Sequence, residues 1–397
     1  MENQGEAGEE QAQHRGVGGN HLEMWLEACQ YRASPWEWEG ATGHVTFGAV
    51  RFSAIIPLFN RPDEIRELLE SLTRQNYTDF EVLVVEDGST VDAREIVESF
   101  ADRLNIRYFF KPNSRQGFTR NFGFERASGE WLVVFDSDCI IPSDYFTEVN
   151  AFLDLHATDR GGTVDVYGGP DAAHPDFTDV QKAISYSMTS YFTTGGIRGR
   201  EKQLEAFNPR SFNMGISRRV WEATGGYRIS VKGEDIEFSV RTRKQGFRSA
   251  LIPAAHVFHK RRTSFSQFYT QLRFFGTARI NVASFYPDQL RPIHVFPTLF
   301  WLYILSIPLC FLLYWALNLW HFNLALALWI APAFLFTGAV FFDAWRQTGS
   351  AWIAALSVRA AFTQLIAYGR GLWSEFFVVC VFKRRDSRVG EVREIAP

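Results

Sequence analysis

LVVFDSDCIIP, residues 132–142, runs a strand's worth of apolar residues, Leu132 to Phe135, straight into two aspartates, Asp136 and Asp138, and then turns apolar again. Carboxylates beside a buried strand cost desolvation unless a metal ion or a ring of donors compensates them. Taken by itself, Asp136-Ser137-Asp138 suits a polar turn capping a helix that opens near Ser143 equally well. The residues upstream decide between the two.

Upstream, FSAIIP from Phe52 reads as a strand. PDEIRELLESLTRQ carries Ile65, Leu68, Leu69 and Leu72 at helical spacing, and FEVLVVEDGS is a strand that ends in a polar turn. The unit then repeats. VDAREIVESFADRL reads helical, IRYFF extended and GFTRNFGFERA helical, while WLVVF is a short apolar run of the kind buried on both faces of a parallel sheet. Strands joined by helical crossovers predict a Rossmann-like α/β sheet, and ligands of such sheets bind beyond the carboxyl ends of the strands. Each strand end here delivers candidates to that edge: Pro57, Phe59, Asn60 and Arg61 after the first, Glu86, Asp87, Gly88 and Ser89 after the second, Lys111 and Asn113 after the third, Asp136 and Asp138 after the fourth. A functional edge accounts for all four at once, and a capping turn accounts for one.

Composition narrows the class. With 41 basic and 44 acidic residues the chain has no bulk positive charge to suit nucleic acid. Cys29, Cys139, Cys310 and Cys380 lie far apart, which suggests neither a zinc knuckle nor a disulfide framework. Residues 1–20, rich in Gly, Glu and Gln, read as a disordered tail without the basic and apolar regions of a signal peptide. Residues 21–50 are an aromatic extension. Two uncharged stretches, 295–317 and 322–342, are each long enough to cross the roughly 30 Å hydrocarbon core of a bilayer. Pro308 and Pro332 fall inside them, and neighbouring groups in a membrane can re-satisfy the carbonyls that proline frees.

In order and spacing, AIIPLFNRPDEIRELLESLTRQ, VVEDGST, NSRQGFTRNFGFERASGEWLVVFDSD and KGEDIEF resemble the family 2 glycosyltransferases, from about Phe52 to Gly276. The resemblance implies a GT-A fold, a Rossmann-like and mostly parallel mixed α/β sheet, here followed by C-terminal transmembrane helices. It implies a nucleotide-sugar donor, inversion at the anomeric carbon and a divalent metal. Departure of a nucleoside diphosphate builds negative charge that a Lewis acid must neutralise, and hard oxygen ligands suit Mg²⁺ or Mn²⁺. Asp138 is the expected metal ligand, with Asp136 facing the ribose or a metal-bound water and Asp87 contacting the base or ribose. Pro57, Phe59, Asn60, Glu86, Gly117 and Arg120 complete the expected donor side, although Arg120 could equally be an exposed helical arginine. Inversion needs a base on the acceptor side, and the family pattern puts it at Asp235, beside Glu234. The same two acids would also suit the N-terminus of a helix over 235–245.

AHVFHKRRTSF supplies His256 and His259. His259 and Arg262 are candidates for the metal or diphosphate, though the basic cluster could instead meet lipid headgroups. Asp171 and Asn213 are candidate acceptor contacts. TQLRFFG (270–276) stands where processive synthases of the family carry Q-x-x-R-W, so transfer of one or a few sugars to a membrane-associated glycan or lipid is expected. A processive synthase and an inactive sugar-nucleotide-binding scaffold are the alternatives. The resulting plan is a catalytic domain over 51–292, two transmembrane helices over 293–344, and interfacial or re-entrant helices with a basic tail over 345–397. Basic residues before the first span and in KRRDSR (383–388) put the catalytic domain in the cytosol.

Overall fold

The computed structural model describes residues 50–157, 163–172, 177–195, 208–317 and 323–382. The expected tail over 1–20, nearly all of the 21–50 extension and the KRRDSR segment lie outside the described residues.

Strand β1 (Phe52–Leu58) leads through helix α1 (Pro62–Leu72) to β2 (Phe80–Asp87). The chain continues through α2 (Arg94–Glu98), β3 (Ile106–Lys111), α3 (Arg115–Phe124) and β4 (Trp131–Phe135). The four strands lie parallel in the order β3-β2-β1-β4, with Ile55 opposite both Leu83 and Val134. Alternation along the strands sends side chains to two cores. Ala54, Ile56, Val84 and Val133 pack with Ile65, Leu68 and Leu69 of α1 on one face, and Ile55, Leu132 and Val134 pack with Phe124 of α3 on the other. One expectation is shortened. The helix read into VDAREIVESFADRL covers only Arg94–Glu98, because the Phe100 and Ala101 N–H groups bond to the carbonyls three residues back, Val97 and Glu98, each at 3.1 Å, which tightens the chain out of the α-helical pattern.

After β5 (Cys139–Ile140) and α4 (Tyr145–Ala157) the sheet acquires its mixed half. Strands β6 (Val166–Gly168), β8 (Asn213–Ser217) and β9 (Ser249–Leu251) extend it to seven strands in the order β3-β2-β1-β4-β8-β6-β9, with β8 antiparallel to both β4 and β6. Between them lie β7 (Asp171–Ala172), α5 (Asp179–Thr189), α6 (Tyr191–Thr194), α7 (Arg218–Thr224) and α8 (Glu234–Lys244). Strand β10 (Val257–His259) joins β5 and β7 in a small second sheet, in which His259 lies opposite Cys139. That pairing carries His259 to the Asp136–Asp138 turn.

Four long helices close the chain: α9 (Phe265–Phe285), α10 (Pro292–Ala316), α11 (Asn323–Thr348) and α12 (Ala351–Phe376). Those beginning at Pro292, Asn323 and Ala351 are all long and apolar enough to cross a membrane. The 351–382 segment, expected as interfacial or re-entrant, is one continuous helix with a short π-helical end, so it makes no re-entrant hairpin. One side of α12 packs on the catalytic domain along its length. The Arg359 guanidinium lies over the Phe265 ring, Ser187 Oγ donates to Gln364 Oε1 at 2.8 Å, and Arg370 Nη1 donates to the Tyr269 hydroxyl at 3.2 Å. Near the helix end Lys232 Nζ lies 3.6 Å from Glu375 Oε1. Its contacts on the other two helices gather at Pro297–Phe300 of α10 and Phe336–Ala344 of α11: Gly369 sits against Pro297, Phe362 against Phe300 and Phe336, and Ala361 beside Val340 and Ala344.

Candidate active site

Asp136 and Asp138 leave β4 in a turn closed by the Cys139 N–H on the Asp136 carbonyl at 3.1 Å. Arg120 of α3, only 1% exposed, reaches Asp136 Oδ1 with Nη2 at 2.9 Å, which rules out a surface arginine. Asp138 is buried between a guanidinium and an imidazole, with Arg61 Nη1 2.6 Å from Oδ2 and His259 Nε2 3.1 Å from Oδ1. Burial alone would raise the Asp138 pKa, but His259 and Arg61 reverse this and hold it well below the usual carboxylate range. Burial pushes His259 down and the Asp138 carboxylate pulls it up, with a net rise. His259 stacks on Phe212 with 5.0 Å between ring centroids, which fixes its plane. Although His259 is near, Asp138 Oδ1 has no well-directed hydrogen-bond donor among the described residues. A buried carboxylate oxygen in that state, with an imidazole nitrogen beside it, fits a hard divalent cation. Cys139, whose thiol also lies within reach, is kept protonated by burial and by the neighbouring aspartates and packs into the core instead.

The second acidic pair opens α8. Lys232 and Gly233 both adopt left-handed backbone, at φ 65° and 94°, and a Cβ on Gly233 would meet Val282 Cγ2 at 2.6 Å. Asn281 Nδ2 donates to the Lys232 carbonyl at 2.9 Å, clamping the turn onto α9. Glu234 Oε1 accepts from Gln116 Nε2 at 2.5 Å and from Arg120 Nη1 at 3.0 Å. Burial first, and the adjacent Asp235 carboxylate second, push Glu234 up to about 7. Asp235 points the other way, partly exposed, with Arg210 Nη1 3.4 Å from Oδ2 and its own helix's Ile236 N–H 2.8 Å from Oδ1. Arg120 therefore ties the two acidic pairs together.

Both pairs open into one cavity of about 1500 Å³. Pro57, Phe59, Asp87, Arg120, Asp136, Asp138, Glu234, Asp235, His259 and Arg262 all line it. Asp87 is held at the end of β2 by the Lys111 ammonium and by the Ser114 N–H at 2.8 Å. Three donor-side candidates, Asn60, Glu86 and Gly117, lie off the lining. Asn60 Oδ1 accepts from the backbone of Thr90 and Val91 at 2.8 and 3.1 Å, and so pins the loop after β2. Glu86 is buried, accepting from the Tyr108 hydroxyl at 2.5 Å and the Ala93 N–H at 3.1 Å. Gly117 lets α3 approach the Ile229–Ser230 backbone, where a Cβ would fall 2.4 Å from the Ile229 carbonyl oxygen. On the acceptor side Asp171 lines the cavity and pairs with Arg261 at 2.6 Å. Asn213 is buried with its amide committed to Tyr145 and the Ala255 carbonyl, at 2.6 and 2.7 Å. His256 turns to the Ala254 carbonyl at 3.2 Å.

Sequence reasoning did not assign Arg61, Gln116 or Arg210 to the acidic pairs they hold. Only Arg61 left a signal, its position at the first strand end. The cavity also runs past the sheet to α9, α10, α11 and α12, where Phe275, Pro297, Phe336 and Leu365 line it.

A Rossmann-like sheet thus carries one acidic pair at the edge of its fourth strand and faces a second pair across the cavity. Residues 53–223 match the family described as Glycosyl transferase family 2, so the chain carries a domain of that family. The poly(ribitol-phosphate) beta-N-acetylglucosaminyltransferase TarS of Staphylococcus aureus (strain Mu50 / ATCC 700699) is 38% identical over 114 residues, 28% of this chain and 20% of the relative. Validoxylamine A glucosyltransferase of Streptomyces hygroscopicus subsp. jinggangensis (strain 5008) is 37% identical over 122 residues, covering 30% of this chain and 27% of that one. The likeness thus spans about a fifth to a quarter of each relative's length. Among solved structures, a mannosyltransferase of Pyrobaculum calidifontis, in complex with GDP-Man and Mn²⁺, aligns over 90% of this chain and 94% of its own at 18% identity, with a TM-score of 0.49.

Proposed function

We propose that the protein transfers a sugar from a nucleotide-sugar donor to a hydroxyl of a membrane-associated glycan or lipid, with a divalent metal, with inversion, and without processive polymerisation. The observation that carries this reading is the single cavity that holds both acidic pairs and continues between helices long enough to cross a membrane. Asp138, His259 and Asp136 would hold Mn²⁺ or Mg²⁺, whose role is to neutralise charge on the departing nucleoside diphosphate. Asp87 and Asp136 orient the nucleoside. Arg120 keeps Asp136 and Glu234 in fixed register, and Asp235 takes the proton from the attacking hydroxyl, a role worth about 10²–10⁴ in rate.

The α10–α11 hairpin crosses the bilayer in this reading, and α12 lies across its base in the interface, with the catalytic domain cytosolic. The gathering of α12 contacts at one end of the hairpin supports that arrangement, as does the lock of the helix onto α5 and α9. Cysteine labelling near Ser387 should require permeabilised cells; labelling of intact cells would mean a third span. For the chemistry, purified full-length protein is assayed for hydrolysis of UDP-, GDP- and dTDP-sugars. Release of nucleoside diphosphate from one of them in Mn²⁺ or Mg²⁺, abolished by EDTA, is expected. Full activity in EDTA would defeat the metal-assisted mechanism.

A further inference from the structure

Arg279 of α9 is 9% exposed and lines the cavity. Among the described residues it has no ion pair, hydrogen bond or ring contact, whereas Arg61, Arg120 and Arg210 on the catalytic side each hold a carboxylate. The residue is nine-tenths buried while its guanidinium opens into the cavity without a partner among the described residues, which places the charge to receive an anion or a set of acceptors. Its surroundings indicate which anion. Arg279 shares a face of α9 with Leu272 and Phe275, seven and four residues earlier, and the base of α10 faces the same space with Ile293, Phe296 and Pro297. The lining continues to Phe336 of α11 and Leu365 of α12. The outer surface of α10 is itself apolar, with Leu299 59% and Leu305 51% exposed. One unpaired cation at the mouth of a largely apolar passage, whose lining also includes His294, Gln364 and Tyr368, fits a ligand with one anionic group and a hydrocarbon chain. The planar fork of arginine favours phosphate.

We infer that Arg279 binds the phosphate of a phosphate-linked lipid whose chain lies between α9, α10 and α12. This rests on the transferase reading above and gives its acceptor a chemical class, a lipid joined through phosphate to the group that faces Asp235.

The test uses full-length protein in a nonionic, phosphate-free detergent, with dodecyl phosphate, dodecanol and inorganic phosphate as probes and calorimetry as readout. Dodecyl phosphate should bind at least about tenfold tighter than either of the others, lose about tenfold or more in Arg279→Gln, and recover in part in Arg279→Lys. Nucleoside diphosphate affinity should be the same in all three proteins. Equal binding of dodecanol would remove the phosphate from the account, and equal binding of inorganic phosphate would leave a free-anion site without a lipid. Unchanged dodecyl phosphate affinity in Arg279→Gln would overturn the role of the residue. A parallel loss of nucleotide affinity would assign Arg279 to the donor. If Arg279→Gln does not fold, the wild-type probe series and Arg279→Lys still decide. Failure of the transferase reading would appear separately, as absence of donor hydrolysis by the wild type with lipid-phosphate binding intact.

Discussion

Two acidic pairs face one cavity, and in each the chain buries one carboxylate and leaves its neighbour partly exposed: Asp138 with Asp136, Glu234 with Asp235. The buried members shift in opposite directions. Asp138 has Arg61 and His259 to itself and is held well below the ordinary range, although burial opposes this. Glu234 shares its one cation, Arg120, with Asp136, and it sits beside a second carboxylate, so burial prevails and its pKa rises to about 7. Burial does not set the charge of a carboxylate by itself; the number of cations that each acid can claim decides. The first pair is thereby suited to hold a positive charge, and the second to handle a proton.

The comparison breaks most completely at the shared cation. Arg120→Ala leaves Asp136 and Glu234 without their buried partner, and removal of one member of a buried pair typically costs about 3–5 kcal/mol. A marked fall in Tm together with loss of donor hydrolysis is expected. An unchanged Tm would show that the two pairs are not coupled through Arg120.

Asp235→Asn keeps size and removes the proton acceptor. The rate should fall by about 10² or more while nucleoside diphosphate affinity, read by calorimetry, stays constant. Collapse of nucleotide affinity as well would move Asp235 to the donor side.

The smallest effect sharpens the contrast between the buried acids. With a pKa raised to about 7, folded Glu234 keeps a proton that the unfolded chain releases above about 4.3. The folded state binds more protons across that interval, so Glu234 makes stability fall as pH rises from about 4.3 to 7, with no further change above. In Glu234→Gln that component should vanish, seen as a flatter dependence of Tm on pH over the same window. An identical slope in both proteins would mean that Glu234 titrates normally.

The parallel half of the sheet was legible because strands buried on both faces read as unbroken apolar runs, as in WLVVF, and because α1 shows helical spacing at Ile65, Leu68, Leu69 and Leu72. The acidic edge followed from that topology. Arg61, Arg120 and His259 were legible as candidates, but their pairing with the aspartates was not, since they come from three separate elements and meet Asp136 and Asp138 only through tertiary packing. Asn60 and Glu86 show the opposite limit. Both sit at strand ends where the rule for α/β sheets looks for ligands, yet their side chains are spent on the loop after β2. In α12, Arg359 and Arg370 interrupt an otherwise apolar run, which weighs against a simple span. What the sequence could not convey is that the aromatic partners of these arginines, Phe265 and Tyr269, stand on α9.

The central claim is that Asp138 anchors a metal-dependent donor site, and calorimetry of UDP and GDP binding to the full-length protein, with and without Mn²⁺, tests it most directly. Mn²⁺ should tighten binding of the preferred nucleotide at least about tenfold in the wild type and leave it unchanged in an Asp138→Ala variant that retains its fold. Nucleotide binding indifferent to Mn²⁺ in the wild type, or equal enhancement in Asp138→Ala, would contradict the account.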